Sequence, residues 1–191
     1  MIRKKIKEHS AYLTGLIHIS RNDSQENRLT KQGAAGELVR YLLIDRITEW
    51  NAGENIAGVK NVAMTEDFLE FHFPRNPIMP GVLLLEAMAQ LSGWLEAASS
   101  EFGQWFLLTK VQKCKFYGFA FPGDQIKLEV KRIQETKAGH VLYSGTGAVE
   151  GKKKITAEFE GELIPLESIE DPAEQERLFQ LLTRRGPVVR E

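Results

Sequence analysis

Two side chains in the segment FHFPRNPIMPGVLLLEAMAQ have the types needed for acid–base chemistry, His72 and Glu86. Imidazole and carboxyl groups are the side chains that most often move protons during a reaction. Three prolines follow His72 and predict a stiff, extended loop, because proline excludes a regular helix and restricts the residue before it. These are Pro74, Pro77 and Pro80. The loop would hold His72 close to the start of the apolar helix that begins at Gly81 and contains Glu86.

The start of that helix is a candidate oxyanion site. Its first backbone N–H groups have no partners within the helix and carry a partial positive charge, which suits a carbonyl oxygen that gains negative charge. Gly81 has no side chain and would leave room for a substrate to reach these donors.

Glu86 lies among leucine, alanine and methionine residues, so we expect burial to raise its pKa and to favour a proton-donating role. Gln90, one helical turn later, shares the same face and could orient the carboxyl group. Two simpler interpretations stay open from the residues alone: His72 serves only the structure of its loop, and Glu86 forms an ion pair across an oligomer interface.

Other classes of site have weaker support. The remaining histidines, at positions 9, 18 and 140, show no metal-ligand spacing with His72. A glycine-rich phosphate loop and a nucleophile elbow are both missing from the sequence. The single cysteine, Cys114, excludes an intramolecular disulfide and a multi-cysteine zinc site. Its lysine neighbours could lower its pKa, but a small, half-buried residue in an alternating strand is the favoured interpretation.

The charge balance excludes a general basic field. The 191 residues include 25 Lys plus Arg against 26 Asp plus Glu, a formal net charge of −1, so neither nucleic acid nor an anionic membrane is an expected partner. The most apolar stretch, 82–98, is interrupted by polar and charged residues and predicts a buried helix rather than a membrane span. The first residues do not form a secretory signal. We therefore expect a cytoplasmic protein.

The chain divides into three predicted zones: an N-terminal arm (1–36), a core domain (37–165) and a C-terminal helical tail (166–191). In the tail, Asp171 is a predicted N-cap, Pro172 fits the first helical position and Glu174 suits a capping box. Gly186 is the predicted stop. An apolar stripe that docks the helix is expected from three leucines, Leu178, Leu181 and Leu182.

Within the core domain, one long helix precedes a run of strands. Val39–Ile47 is a short apolar segment and Asn55–Met64 a loose strand, and the helix is predicted at Gly81–Ser99. The later predicted strands are Phe106–Tyr117, Gln125–Glu135, His140–Glu150 and Ile155–Ile164, with turns at 121–124, 137–139 and 151–153. This order predicts an α+β fold in which an antiparallel sheet folds around one helix.

The segment HFPRNPIMPGVLLLEAMAQ resembles the active-site signature of bacterial (3R)-hydroxyacyl-[acyl carrier protein] dehydratases, HFPGHPxMPGVLxxEAxAQ. The likeness extends to YLLIDRITEWNAGENIAGVKN, which is similar to the opening strand of that family, and to FPGDQIKLEV, which is similar to a later strand pair. It covers roughly residues 38–164.

The resemblance implies a hotdog fold, a long central helix wrapped by an antiparallel sheet, in a homodimer that in some members assembles further into trimers of dimers. It implies an active site at the dimer interface, with the histidine from one subunit and the glutamate from the other. The implied reaction is elimination of water from a 3-hydroxyacyl chain on the phosphopantetheine of acyl carrier protein, without a dissociable cofactor or metal. His72 would be the base, Glu86 the acid, and Gly81 with Val82 would form the oxyanion and substrate-binding region.

One departure from the family pattern lies inside the signature. Arg75 and Asn76 stand where the family usually has glycine and histidine. Arg75 would contact the phosphate or the acidic surface of the carrier protein, narrow the pocket, or be a solvated arginine. Two other functions of the same fold stay open: a hotdog thioesterase, which the loop with its histidine disfavours, and a non-catalytic acyl-binding subunit, which the presence of both His72 and Glu86 disfavours.

Overall fold

The structure, a computed structural model, describes residues 41–136 and 139–185. Within these ranges the chain forms β1 (Arg46–Asn51), β2 (Asn55–Asn61), α1 (Gly81–Ser99), β3 (Gln104–Phe116), β4 (Gln125–Glu135), β5 (His140–Val149), β6 (Lys152–Pro165) and α2 (Pro172–Leu182). The strands form one antiparallel sheet in the order β1-β2-β4-β5-β6-β3. The α+β prediction of one long helix against an antiparallel sheet is confirmed. The predicted N-terminal arm lies outside the described residues, and the three-zone division stays a prediction.

The sheet wraps α1 because its strands alternate between a buried and an exposed face. On β4, Ile126, Leu128 and Val130 are fully buried while the residues between them are exposed. On β5, a Cβ atom at position 145 would lie 2.6 Å from the Met88 Sδ atom. Glycine at this position therefore leaves the space that the Met88 side chain of α1 occupies against β5.

The chain before β2 contains a strand that the residue pattern alone did not predict. In the described part of the apolar segment Val39–Ile47, Leu43 and Ile44 are buried in irregular chain, and β1 begins at Arg46. A register shift within β1 breaks its alternation of buried and exposed residues, so the sequence carries no period of two there. β2 also ends earlier than predicted, at Asn61.

The hairpin between β5 and β6 is tighter than the predicted turn at 151–153. Glu150 and Gly151 both have positive φ, 49° and 76°, as a two-residue hairpin turn requires. β6 therefore begins directly at Lys152. The turn predicted at 137–139 lies partly outside the described residues, and its last residue, Gly139, has a φ of 77°.

The N-cap and the first residue of α2 agree with the prediction, whereas the capping box and the end of the helix do not. The Asp171 side chain accepts a hydrogen bond from the Ala173 N–H at 2.9 Å. The Glu174 carboxylate faces Arg177 at 4.0 Å rather than completing a capping box. The helix ends at Leu182, and Arg184 adopts the left-handed conformation with a φ of 56°. The predicted stop, Gly186, lies outside the described residues.

The predicted docking stripe of α2 is confirmed at Leu182, partly confirmed at Leu178 and wrong at Leu181. Its buried residues are Gln175, Phe179 and Leu182, spaced by four and three positions on one helical face. Leu178 is partly buried, but the Leu181 side chain is 62% exposed. Phe179 packs edge-on against Trp50, with ring centroids 5.5 Å apart, and lies 6.0 Å from the Trp94 ring of α1. The helix thus covers the C-terminal half of α1.

Candidate active site

The loop that carries His72 folds back on itself. The Asn76 N–H donates to the Phe73 carbonyl at 2.9 Å, and the Phe73 N–H donates to the Asn76 carbonyl at 3.3 Å. Pro74 occupies the second position of this turn, where its fixed φ is favourable. The Ile78 N–H then donates to the His72 carbonyl at 2.9 Å. The prediction of an extended loop is therefore wrong: the prolines exclude a helix, but the chain satisfies its backbone groups by turning.

The His72 ring has a defined hydrogen-bonding state. Its Nδ1 atom lies 3.1 Å from the Ile78 carbonyl oxygen. A carbonyl only accepts, so Nδ1 carries the hydrogen of the neutral ring and Nε2 keeps a free lone pair. The half-buried ring also stacks on Phe73, with centroids 4.4 Å apart. The loop thus orients the imidazole through Nδ1 and leaves Nε2 without a hydrogen bond to any described residue.

The first two backbone N–H groups of α1 have no hydrogen-bond partner among the described residues. Pro80 is its N-cap and supplies no side-chain hydrogen bond, and the first turn contains no acidic residue. The segment before it is tied to the chain after β3, since the Met79 N–H donates to the Ala120 carbonyl at 2.9 Å. The N–H groups of Gly81 and Val82 therefore suit an oxygen that gains negative charge. The Val82 side chain is 64% exposed.

Glycine at position 81 has a reason that the sequence did not reveal. A Cβ atom there would lie 2.8 Å from the Phe116 ring at the end of β3. The expected room for a substrate is therefore taken, on this side of Gly81, by the Phe116 ring. This close contact fixes the start of α1 against the edge strand of the sheet.

Glu86 is partly buried on the first half of α1. Burial raises the pKa of its carboxyl group, and a hydrogen bond from Gln90 offsets part of this effect. The predicted direction of the shift is confirmed. A carboxyl group that keeps its proton more readily than usual is suited to donate it to a leaving group.

The Gln90 amide makes three hydrogen bonds. Its Nε2 atom donates to Glu86 Oε1 at 3.1 Å and to the Tyr41 carbonyl at 2.9 Å. Its Oε1 atom accepts from the Leu43 N–H at 2.9 Å. Gln90 therefore contacts the candidate acid, as its helical spacing predicted, and also the backbone before β1.

His72 and Glu86 are held separately. Among the described residues, no hydrogen bond or ion pair links one to the other: His72 bonds to Ile78 and Glu86 to Gln90. Arg75 lies in the tight turn beside His72 with its side chain exposed. Within residues 41–136 and 139–185 it has no ion-pair partner.

Exposed phenylalanines form an aromatic rim beside His72 and the start of α1 that was not predicted from the sequence. Its members are exposed phenylalanines in three segments: Phe71 and Phe73 beside His72, Phe116 beside Gly81, and Phe119 and Phe121 around the Ala120 carbonyl that binds Met79. Exposed apolar groups of this size mark interaction surfaces. The aromatic residues of FHF and FYGFAF were the available signal.

The remaining candidates do not form a second centre. In the part of the chain that the structure describes, no group of three or more His, Cys, Asp or Glu side chains could hold a metal ion. Cys114 is partly buried, and burial raises the pKa of its thiol, which agrees with the favoured interpretation. No described helix is long and apolar enough to cross a membrane.

Comparison with known sequences points to one family. The FabA-like domain matches residues 38–158. The chain is 44% identical over 119 residues to a 3-hydroxyacyl-[acyl-carrier-protein] dehydratase FabZ of Thermoanaerobacter sp. (strain X514), covering 62% of this chain and 83% of the relative. It is 40% identical over 123 residues to a protein of the same name from Shewanella sp. (strain W3-18-1), covering 62% and 79%.

Comparison with solved structures supports the fold. A Streptococcus mutans UA159 protein crystallised with acetyl CoA is similar at a TM-score of 0.50 and 12% identity, covering 75% of this chain and 98% of that one. At this identity the likeness speaks for the fold alone.

Proposed function

The chain belongs to the FabA-like domain family, and on that premise we propose that it dehydrates a 3-hydroxyacyl thioester on acyl carrier protein to the trans-2-enoyl thioester, in fatty-acid synthesis. The observation that carries the proposal is that the loop before α1 and α1 itself each hold a group suited to one of two opposite proton transfers. His72 has a free Nε2 lone pair, and Glu86 has a raised pKa. Both lie near the uncapped start of α1, which suits a developing oxyanion.

The proposed reaction is a β-elimination. His72 Nε2 removes a proton from the carbon next to the thioester, and the thioester oxygen, gaining negative charge, is stabilised by the N–H groups of Gly81 and Val82. The C–O bond to the 3-hydroxyl group then breaks, Glu86 donates the proton, and water leaves as the carbon–carbon double bond forms. His72 ends protonated and Glu86 ionised, so a proton passes through solvent to restore the starting state.

The proposed assembly is a homodimer in which His72 of one subunit works with Glu86 of the other. Two observations support it. Among the described residues, no hydrogen bond or ion pair joins the two side chains. The aromatic rim beside His72 and the start of α1 is exposed, and burying such a surface against a second copy would stabilise a dimer.

The proposed partner is acyl carrier protein, whose phosphopantetheine would carry the substrate. The proposed reaction uses no dissociable cofactor. We propose the cytoplasm as the location of the protein. Arg75 supports docking of an acidic partner, because its exposed guanidinium lies in the turn beside His72. We propose that it contacts the phosphate or the acidic surface of the carrier.

Purified protein mixed with 3-hydroxyacyl carrier proteins of several chain lengths tests the function, with enoyl absorbance and free thiol recorded together. We expect enoyl product from the wild type and a rate about 10²- to 10⁴-fold lower from His72→Ala. Free thiol without enoyl product would instead indicate a thioesterase. Neither product at any chain length would indicate a non-catalytic acyl-binding subunit.

His140→Ala is the matched control. His140 lies 3.6 Å from Glu162 on β6. On the same strand, Ile155 is opposite Phe116. Glu162 is seven residues from Ile155, roughly 23 Å along a strand, so His140 is far from the start of α1. We expect this variant to keep the wild-type rate. Equal losses in both variants would remove the assignment of His72 as the base.

A further inference from the structure

The backbone around position 42 fixes the orientation of the Gln90 side-chain amide. An amide group has one oxygen that accepts and one nitrogen that donates. The Leu43 N–H can only donate and the Tyr41 carbonyl can only accept, and they lie 2.9 Å from Gln90 Oε1 and Nε2 respectively. With the amide reversed, its NH₂ group would face the Leu43 N–H, donor against donor, and its oxygen would face the Tyr41 carbonyl, acceptor against acceptor. Gln90 must therefore present its NH₂ group, never its oxygen, to Glu86.

The backbone that sets this orientation is itself anchored. Leu43 and its neighbour Ile44 are 1% and 2% exposed and lie in the main hydrophobic core. The Asp45 N–H then donates to the Val59 carbonyl of β2 at 2.9 Å. The segment before β1 thus holds its polar groups at fixed positions above α1.

We infer that Gln90 is a positioning residue which determines the oxygen atom of Glu86 that carries the acidic proton. The second N–H of its NH₂ group points to Glu86 Oε1 at 3.1 Å. An oxygen that accepts this hydrogen bond is disfavoured as the site of the proton, because a hydroxyl there would oppose the N–H donor. The proton is therefore held on Oε2, the atom free to meet the leaving group.

This inference rests on the proposed dehydration, and it gives Gln90 a second effect on the acid. The N–H donor favours the ionised carboxylate and so opposes the effect of burial on the pKa of Glu86. Gln90 thus keeps the proton on one oxygen and also eases its release. A residue that served only packing would do neither.

Two substitutions separate these roles. Gln90→Met keeps the length of the side chain but removes the amide, so Glu86 loses its donor and either oxygen can carry the proton. We expect the turnover number to fall about tenfold and the alkaline limb of its pH profile to move to higher pH by about one unit. In Gln90→Glu, the two carboxyl groups share protons, so we expect a similar shift with activity partly restored at acidic pH.

Ser92→Ala is the matched control. Ser92 is a fully buried polar residue on the same helix, and its Oγ atom donates to the Met88 carbonyl at 3.0 Å. Losing this bond is expected to lower stability slightly and to leave the pH profile in place. If Gln90→Met and Ser92→Ala both lower turnover without moving the alkaline limb, Gln90 is a packing residue and the inference is wrong.

A titration of the Glu86 carboxyl by carbon-13 NMR, with Glu86→Gln to assign the signal, gives a readout that does not require catalysis. We expect the midpoint to rise in Gln90→Met and to stay unchanged in Ser92→Ala. An unchanged midpoint in Gln90→Met would overturn the inference even if the enzyme is active. Conversely, an inactive wild-type chain would overturn the proposed function, while the titration would still test Gln90.

Discussion

The Glu86 carboxyl group is placed where ionisation is unfavourable, and this has a consequence for stability as well as for catalysis. Its pKa in the folded chain is raised above the ordinary value of 4.5. Above that value the folded chain binds more protons than the unfolded chain, so the stability contribution of this group falls as the pH rises through the folded pKa. At pH values above the folded pKa, the wild type is therefore less stable than it would be with an unshifted carboxyl group at position 86.

Glu86→Gln should remove this penalty. We expect urea unfolding to show the variant more stable than the wild type at about pH 8, with the difference smallest near about pH 4. Turnover should fall by about 10²- to 10⁴-fold, since an amide donates no proton. Glu129→Gln, at an exposed carboxylate on β4, controls for the loss of one negative charge. Identical pH dependence in both variants would contradict a raised pKa at Glu86.

The functional side chains could be predicted from sequence more completely than their surroundings. His72, Glu86 and Gln90 lie in one continuous segment, so their types and helical spacing were visible. The partners that fix Gln90 were not, because Tyr41 and Leu43 are 49 and 47 residues away in the chain. Only the fold brings such distant backbone groups together.

The buried face of α2 was also hard to predict from sequence, because its partners are distant in the chain. Four of the five residues 178–182 are apolar, so more than one phase of the helical stripe fits the pattern. The cap at Asp171 was predictable because it depends on neighbouring residues alone. The choice of Phe179 over Leu181 depends on the aromatic rings of β1 and α1, which meet it only in the folded chain.

Substitutions at these two positions of α2 should differ sharply in effect. Phe179 is 7% exposed and Leu181 is 62% exposed. We expect Phe179→Ala to lower the free energy of unfolding by about 3 kcal/mol, and Leu181→Ala by less than about 0.5 kcal/mol, in urea titrations. Turnover of the folded protein should persist in both, since Trp94 lies eight residues and about 12 Å along α1 from Glu86. Equal losses of stability would place the docking stripe at Leu181 after all.

The whole assembly can be tested by mixing two inactive proteins. If each site combines His72 of one subunit with Glu86 of the other, a mixed dimer of His72→Ala and Glu86→Gln contains one intact site and one with both groups lost. With random exchange of subunits, we expect about a quarter of the wild-type rate. The two variant dimers are mixed, dissociated reversibly and allowed to reassemble, and the enoyl assay then measures the recovered activity.

The opposite arrangement gives the opposite result. If both groups of a site came from the same chain, every site in the mixed dimer would lack one of them, and no activity would return. Co-purification of untagged Glu86→Gln with affinity-tagged His72→Ala is the control for subunit exchange. A failure to recover activity, with exchange demonstrated, would exclude the shared site while leaving the dehydration itself in place.

The cluster around Phe179 also gives the chain an optical property. The sequence contains three tryptophans, and all three belong to this cluster: Trp50 and Trp94 face Phe179, and Trp105 lies 5.1 Å from Trp94. No tryptophan therefore lies beside His72 or Glu86. The intrinsic fluorescence of the protein reports the docking of α2 at one end of α1, and substrate absorbance reports the chemistry at the other, so the two events can be followed in one cuvette without a label.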